Sequence, residues 1–222
     1  MKNRKNSMGI LRILMLAPEL TPFKKVGGLA DAVSALSKSL SVRGHDVRVL
    51  MPRFNELCDF ENAESLEDPL VVHLGEHQAY GRLWRRNLPG SLVTYYFVEH
   101  NRYFGASNPY IGPSGNEADN GERFTFFSRA AIDFCDYINW SPDVIHSHDW
   151  TCALTPVYLN TTEVNRRMGR CASVFSIHNL EHQGCFNRSL FNFTGLPESS
   201  FGSCGFKSMG DLNMLKGGIL NA

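Results

Sequence analysis

Hydrophobic and polar positions at the start of the chain follow the pattern of a strand, a helix and a second strand. Residues 10–17 are almost continuously apolar, which is typical of a parallel strand buried on both faces. Apolar residues then recur at helical spacing over 28–43, and Gly44 supplies a C-terminal stop. A second strand covers 47–51 and ends at Pro52. The pattern predicts a βαβ unit, whose crossover is nearly always right-handed.

The alternation of strands and helices continues to the end of the chain. Loops are predicted where polar residues or glycines dominate, at 53–68, 104–121 and 181–210. The other predicted elements are strands at 70–74, 81–88, 91–98, 143–146 and 172–177, and helices at 122–138, 152–160 and 211–222. This order predicts an α/β fold, which we take to be a doubly wound parallel sheet. The last helix runs to the final residue without a C-cap, which suggests an incomplete architecture.

Composition narrows the classes of function. The chain has 222 residues, and its 22 basic and 22 acidic side chains give a net charge of zero. Nucleic-acid and anionic-membrane surfaces usually leave a basic excess, so a neutral polymer or a small molecule is favoured as partner. No run approaches the ~18 apolar residues of a membrane span, and Arg12 interrupts the N-terminal stretch that resembles a secretion signal. Six scattered cysteines without a C-x-x-C pair indicate reduced thiols in the cytosol.

Polar or glycine residues follow three of the predicted strands. They are Lys25, Gly27, Gly28 and Asp31 after the first strand, Ser147, His148, Asp149 and Trp150 after the strand at 143–146, and His178 and Asn179 after the strand at 172–177. In doubly wound sheets, ligands bind beyond the carboxyl ends of the parallel strands, which meet at one rim. We therefore expect these residues to converge on one binding site.

Gly27 and Gly28 predict an anion site at the start of the first helix. Adjacent glycines permit backbone conformations closed to other residues and a close approach of ligand, while a helix start offers unpaired N–H groups. Lys25 adds a full charge beside them. A plain tight turn with a solvated lysine is an equal alternative. The P-loop and G-x-G-x-x-G patterns are missing, and no acidic residue directly ends the second strand, so an NAD enzyme is disfavoured.

The H-S-H-D-W segment allows two kinds of site. His146 and His148 would share one face of a strand, but no third-ligand motif such as H-E-x-x-H accompanies them, so a buried structural role is favoured for His146. Asp149 and Trp150 would pair a carboxylate for sugar hydroxyls with a flat ring for a sugar face. In the alternative, Asp149 caps the following helix and Trp150 belongs to the core.

Aromatic side chains in the glycine-rich loop have two possible roles. Tyr103, Phe104 and Tyr110 either stack on sugar rings or pack the loop onto the domain, and we expect packing for Phe104. The sequence contains no G-x-S-x-G elbow that would indicate a serine hydrolase.

Four blocks of the sequence resemble the bacterial glycogen synthases and plant starch synthases, which transfer glucose from ADP-glucose to an α-1,4-glucan. The blocks are A-P-E-L-T-P-F-K-K-V-G-G-L-A-D-A-V at 17–33, D-V-I-H-S-H-D-W at 143–150, S-V-F-S-I-H-N-L-E-H-Q-G at 173–184 and D-L-N-M-L-K-G-G-I-L-N-A at 211–222. They stand in the family's order and spacing. Thr151 stands where many members have histidine, so acceptor-side contacts could differ, and Val26 replaces a common threonine, which is a mild change.

The resemblance implies a Rossmann-like fold that is the N-terminal half of a two-domain type-B glycosyltransferase. Residues 1–222 would form this acceptor-side domain, and the nucleotide-sugar domain would be absent from the chain. The implied reaction is a retaining hexosyl transfer without metal or other cofactor, with ADP-glucose as donor and α-1,4-glucan as acceptor. We expect a bacterial cytoplasmic protein whose isolated N-terminal half is nearly inactive.

The resemblance also implies roles for individual residues. The implied catalytic residues are Asp149, His178 and Asp31. The implied donor-binding residues are Lys25, Gly27 and Gly28. The implied acceptor-binding residues are Tyr110, Trp150 and Asn179. No nucleophile is assigned, and we expect these groups to position the acceptor and to stabilise the leaving diphosphate.

Two other functions are compatible with the residues. The chain could be a glucan-binding module that performs no chemistry, in which case it would bind glucan without binding the donor. It could also come from another two-domain glycosyltransferase, such as a relative of sucrose synthase. The K-V-G-G-L and I-H-N-L-E-H-Q-G segments disfavour this last possibility.

Overall fold

The computed structural model describes residues 9–115, 119–164 and 166–222. The strands in this part of the chain are β1 (Arg12–Leu16), β2 (Asp46–Pro52), β3 (Glu64–Ser65), β4 (Leu70–Leu74), β5 (His77–Asn87), β6 (Thr94–Glu99), β7 (Val144–His148), β8 (Ala172–Ser176), β9 (Cys185–Phe186), β10 (Lys207–Ser208) and β11 (Asp211–Asn213). The α-helices are α1 (Gly28–Val42), α2 (Asn101–Phe104), α3 (Asn120–Tyr137), α4 (Leu154–Asn160), α5 (Ser200–Ser203) and α6 (Met214–Asn221), and Trp150–Cys152 and Arg188–Thr194 form 3-10 helices.

The main sheet is parallel in its centre and antiparallel on one side. Its order is β3-β5-β6-β2-β1-β7-β8, and β4 pairs with β5. β1 runs parallel to both of its neighbours, so that Ile13 lies beside Val47 and Val144. Every residue of β1 after Arg12 is buried, as expected of an apolar strand flanked on both sides. The predicted doubly wound α/β sheet is confirmed, and β3, β4 and β5 extend it with antiparallel strands.

Helices lie on both faces of the sheet because its two halves are wound in opposite directions. From β1 the chain passes through α1 to β2, and from β6 it returns through α3, past β2 and β1, to β7. Right-handed crossovers in opposite directions place their helices on opposite faces. α3 packs against α4 and β4 and buries four phenylalanines, Phe124, Phe126, Phe127 and Phe134. The winding reverses between β1 and β7, which is where ligands bind in this class of sheet.

Several predicted elements have different boundaries in the structure. The strand predicted at 143–146 extends to His148, because β8 provides pairing partners as far as Ser176. The helix predicted over 152–160 divides into a 3-10 turn and α4. The predicted helix over 211–222 begins instead with β11, and the Asn213 side chain caps α6 by accepting the N–H of Lys216 at 2.9 Å. At β7 and β11, pairing with a strand distant in the sequence decided the boundary, and local periodicity did not indicate it.

All six cysteines are free thiols, as predicted. Cys135 and Cys152 are fully buried and pack as small hydrophobic side chains. Within the described ranges, no helix combines the length and the apolar character that crossing a membrane requires.

Candidate functional site

A large cleft opens beyond the carboxyl ends of β1 and β7. Its volume is about 1490 Å³. One side, which we call the polar wall, consists of Glu19, Gly27, Gly28, Asp149, His178 and Asn179. Apolar side chains of the lining, which we call the apolar wall, include Tyr110, Ile111, Phe186, Leu190 and Phe193. The predicted convergence of three strand ends is therefore present, and residues from the two segments predicted as loops at 104–121 and 181–210 also line the cleft.

Asp149 joins the ends of β7 and β8. Its backbone N–H donates to the carbonyl of Ser176 at 2.9 Å, and its Oδ1 accepts the backbone N–H of His178 at 2.6 Å. The residue has φ +58° and ψ 178°, a conformation that costs a residue other than glycine about 1–3 kcal/mol. It precedes a 3-10 helix, but its side chain makes no capping hydrogen bond, so the capping alternative is wrong. The backbone of Asp149 is therefore tied to β8, its carboxylate is held by the segment that follows β8, and the residue lines the cleft.

Glu19 is a site residue that sequence analysis missed. Its side chain is 2% exposed, and Oε2 accepts the backbone N–H groups of Val26 at 2.5 Å and Gly27 at 2.9 Å. Oε1 accepts the hydroxyl of Tyr110, which holds the glycine-rich loop against the polar wall. The one local signal was an acidic residue directly after a buried strand and Pro18. A buried carboxylate with three donors organises this end of the cleft.

The glycine pair differs from the expectation in its backbone. Gly27 has φ −133°, which any residue adopts, so the pair does not use the conformations closed to other residues that adjacent glycines permit. A Cβ built on Gly27 or Gly28 would meet no atom within 4 Å, because both positions face open space. Glu19 occupies the Gly27 N–H, and the next two residues of the helix start, Gly28 and Leu29, line the cleft with N–H groups that have no partner within the helix.

Lys25 and Asp31, which we call the helix-start pair, do not line the cleft. Lys25 Nζ lies 2.6 Å from Asp31 Oδ2, and both side chains are about half exposed, at 54% and 52%. The hydrogen bonds from Lys25 and from the Thr21 hydroxyl lower the pKa of Asp31. The structure therefore separates these two predicted site residues from the other seven, and their predicted roles stay predictions.

The aromatic side chains divide between core and cleft. Trp150 is 8% exposed and packs edge-on against Phe124, in line with the core alternative, although it also borders the cleft. Gly184 has φ +63°, and a Cβ there would lie 2.5 Å from the Trp150 ring, so only glycine lets the chain close over it. Tyr103 and Phe104 are buried, which confirms packing for Phe104. Tyr110 is half-buried, and burial, followed by its bond to Glu19, raises the pKa of its hydroxyl.

His146, His148 and His178 lie side by side, and His178 belongs to the polar wall. His146 and His148 share one face of β7, as predicted, with ring centroids 4.2 Å apart. His146 Nε2 lies 2.7 Å from the Ser176 hydroxyl, and His148 Nδ1 lies 2.9 Å from His178 Nε2. Burial, and then the neighbouring His178, lower the pKa of His146 to about 4, and the ring is half-buried. Across the described ranges, no group of three or more His, Cys, Asp or Glu side chains is arranged to hold a metal ion.

Comparison with known proteins identifies a family. The family model of the starch synthase catalytic domain matches residues 12–222. The glycogen synthase of Treponema denticola is 40% identical to the chain over 213 residues, and glycogen synthase 1 of Geobacter metallireducens is 41% identical over 216 residues. Each match covers 96% of this chain and 43% of the relative. The chain thus spans less than half the length of the curated relatives it matches.

A solved structure shares the fold. The catalytic domain of starch synthase IV from Arabidopsis thaliana, which was solved bound to ADP and acarbose, superposes with a TM-score of 0.86 and 26% sequence identity. The superposition covers 96% of this chain and 44% of that structure.

Proposed function

Because the chain belongs to the starch synthase catalytic domain family, as its four sequence blocks predicted, we propose that it works within a glucosyltransferase that transfers glucose from ADP-glucose to an α-1,4-glucan. The chain contributes the acceptor-side half of the active site, and the remainder of the protein contributes the nucleotide-sugar half. The observation that carries the proposal is Asp149. Its backbone is strained, and its carboxylate lines a large cleft where the winding of the sheet reverses.

The two walls of the cleft support a glucan as the acceptor. A sugar has hydroxyl groups around its edge and C–H groups on its faces, so it needs both hydrogen-bonding groups and apolar surface. The carboxylate of Asp149 and the side chains of His178 and Asn179 offer the first, while Ile111 and Phe186 offer the second. The zero net charge of the chain fits a neutral polymer. Tyr110 and Trp150 are the aromatic rings proposed to contact sugar faces.

The start of α1 supports an anionic donor group at the same cleft. The N–H groups of Gly28 and Leu29 lie in its first turn, where the helix dipole favours negative charge. In the proposed reaction these groups stabilise the charge that develops on the leaving diphosphate. Lys25 would join them only by leaving Asp31. The cleft holds donor and acceptor in reacting geometry, and the transfer retains the configuration of the sugar.

The proposal is tested by glucose incorporation from ADP-glucose into glucan with the full-length protein that contains this chain. Asp149→Asn keeps an oxygen that accepts the His178 N–H but removes the charge, so the fold is expected to persist. We expect kcat to fall by about 100-fold, as when a preorganised polar group is removed from an active site. Asp136→Asn, the same substitution at an exposed position of α3, is the matched control. Turnover of Asp149→Asn at the control's rate would overturn the assigned role.

A non-catalytic, glucan-binding function of the isolated chain is favoured by one observation. The helix-start pair lies outside the cleft and Glu19 already occupies the Gly27 N–H, so the donor side has few ligand-facing groups in this chain, whereas both walls of the cleft are present. We propose that residues 1–222 alone bind maltoheptaose but turn over ADP-glucose hardly at all. Calorimetry with each ligand separates the two functions, and robust turnover by the isolated chain would contradict this proposal.

We also propose a bacterial cytoplasmic location. Six free thiols, of which Cys58 and Cys185 are exposed and Cys171 is partly exposed, suit a reducing compartment. Fractionation of the source cells with an antibody to the chain tests this proposal.

A further inference from the structure

His148 lies directly behind the polar wall and has one nitrogen without a partner. The residue is 2% exposed at the carboxyl end of β7. Its Nδ1 is 2.9 Å from His178 Nε2, whereas its buried Nε2 has no hydrogen-bond partner among the described residues. The ring cannot turn freely, because it is stacked on His146, whose own Nε2 lies beside the Ser176 hydroxyl.

Only one proton fits between the two rings, since two N–H groups cannot point at each other across 2.9 Å. If His178 were the donor, the proton of neutral His148 would sit on Nε2 as a buried N–H without an acceptor. If His148 is the donor, its Nε2 carries only a lone pair. Orphaned buried N–H groups are rarer in proteins than under-satisfied acceptors, so the second arrangement is favoured. Burial, followed by the charges of His146 and His178, holds the pKa of His148 far below its usual range and keeps it neutral.

We infer that His148 is a positioning residue that donates from Nδ1 to His178 Nε2 and thereby fixes His178 in the Nδ1–H tautomer. The tautomer of a histidine is set by the bond that its other nitrogen makes. His178 itself is exposed and lines the cleft, and its backbone N–H is held by Asp149 Oδ1. The ring therefore offers the cleft a hydrogen-bond donor at Nδ1. A ligand oxygen, from a sugar hydroxyl or a phosphate group, is the acceptor that this donor fits.

The tautomer is measured directly by NMR of the imidazole nitrogens in the ¹⁵N-histidine-labelled chain. In the wild type, we expect His178 to carry its proton on Nδ1. His148→Phe keeps a stacked ring but removes the donor, and should move the His178 proton to Nε2, the nitrogen that is preferred in free histidine. His148→Asn, whose amide N–H falls near the Nδ1 position, should restore the wild-type tautomer. His77→Phe, at the exposed first position of β5, is the matched control.

A wild-type His178 protonated on Nε2 would overturn the inference, and this measurement needs no variant to fold. An unchanged tautomer in a folded His148→Phe chain would overturn it equally. The NMR result does not depend on turnover, so the tautomer assignment can fail without the proposed glucosyl transfer failing. The choice of ligands for the binding experiment does rest on that proposed function.

Binding distinguishes the two sources of the ligand oxygen. Calorimetry of the chain with maltoheptaose and, separately, with ADP should show a loss of roughly 3- to 10-fold in affinity for one ligand in His148→Phe, the size of one hydrogen bond. Loss for maltoheptaose alone identifies a sugar hydroxyl, and loss for ADP alone identifies a phosphate oxygen. Recovery of the wild-type affinity in His148→Asn supports the positioning role of His148. If the tautomer shifts and both affinities stay at the wild-type value, the role assigned to the Nδ1 donor is overturned.

Discussion

The polar wall and the helix-start pair contain similar residue types, yet the fold uses them differently. In the polar wall, Glu19 and Asp149 are buried carboxylates whose oxygens accept backbone N–H groups from other segments. In the helix-start pair, Asp31 is about half exposed and is hydrogen-bonded to Lys25 and Thr21, which are nearby in the sequence. An ion pair in water adds little to the free energy of unfolding, whereas a buried carboxylate without hydrogen bonds would lower it strongly. Burial therefore decides which carboxylates hold the structure together.

The largest expected effect comes from removing Glu19. Glu19→Ala leaves two backbone N–H groups and the Tyr110 hydroxyl without their acceptor, and we expect the free energy of unfolding to fall by about 3–5 kcal/mol. Urea unfolding followed by circular dichroism measures the change. Glu76→Ala, at the exposed turn after β4, serves as the control and should match the wild type. If the two variants were equally stable, burial would not distinguish these carboxylates.

Acid should destabilise the folded protein through the histidines behind the polar wall. Burial is the main reason that the folded pKa of His148 lies below the ~6.5 of an unfolded chain, so its contribution to stability is complete above pH 6.5 and is lost as the pH falls. Between pH 7 and pH 5, protonation of one such histidine in the unfolded chain lowers the free energy of unfolding by about 2 kcal/mol. Urea titrations at both pH values should show His148→Asn losing less stability than the wild type. Parallel losses in the two proteins would contradict the assignment.

Tyr110 tests the link between the polar wall and the glycine-rich loop. Tyr110→Phe removes only the hydroxyl that donates to Glu19 Oε1, which keeps its carboxylate and its backbone partners. We expect a loss of about 1 kcal/mol in the free energy of unfolding, the usual size of one hydrogen bond. Tyr80→Phe, an exposed tyrosine on β5, is the control. A loss in Tyr110→Phe as large as that in Glu19→Ala would mean that the loop, and not the carboxylate, organises this wall.

The smallest effect on stability is expected for the helix-start pair. Lys25→Ala breaks an exposed ion pair, so the unfolding midpoint should not differ resolvably from that of the wild type. The predicted donor role would then appear only as weaker binding of ADP by the full-length protein. Lys38→Ala, an exposed lysine further along α1, is the control. A clear loss of stability in Lys25→Ala would remove the contrast with the polar wall.

The elements that sequence analysis predicted well are those with a strong local period. The apolar run of β1 and the amphipathic repeat of α1 were placed within two residues of their observed ends. The start of α6 was missed because β11 forms by pairing Leu212 with Phe186, which lies 26 positions earlier in the chain. Phe186 and Leu190 belong to a segment without periodicity, so no pattern indicated that they would line the cleft.

The sequence by itself determined the family, the α/β architecture and the three strand ends that meet at the cleft, because each depends on local pattern or on motifs in fixed order. Only the tertiary structure decided which polar groups are buried. It placed Glu19 under the loop before α1, bent Asp149 into a strained conformation between two strands, and left the helix-start pair in solvent. These outcomes follow from packing between segments far apart in the chain, and desolvation by that packing sets the energy of each charge.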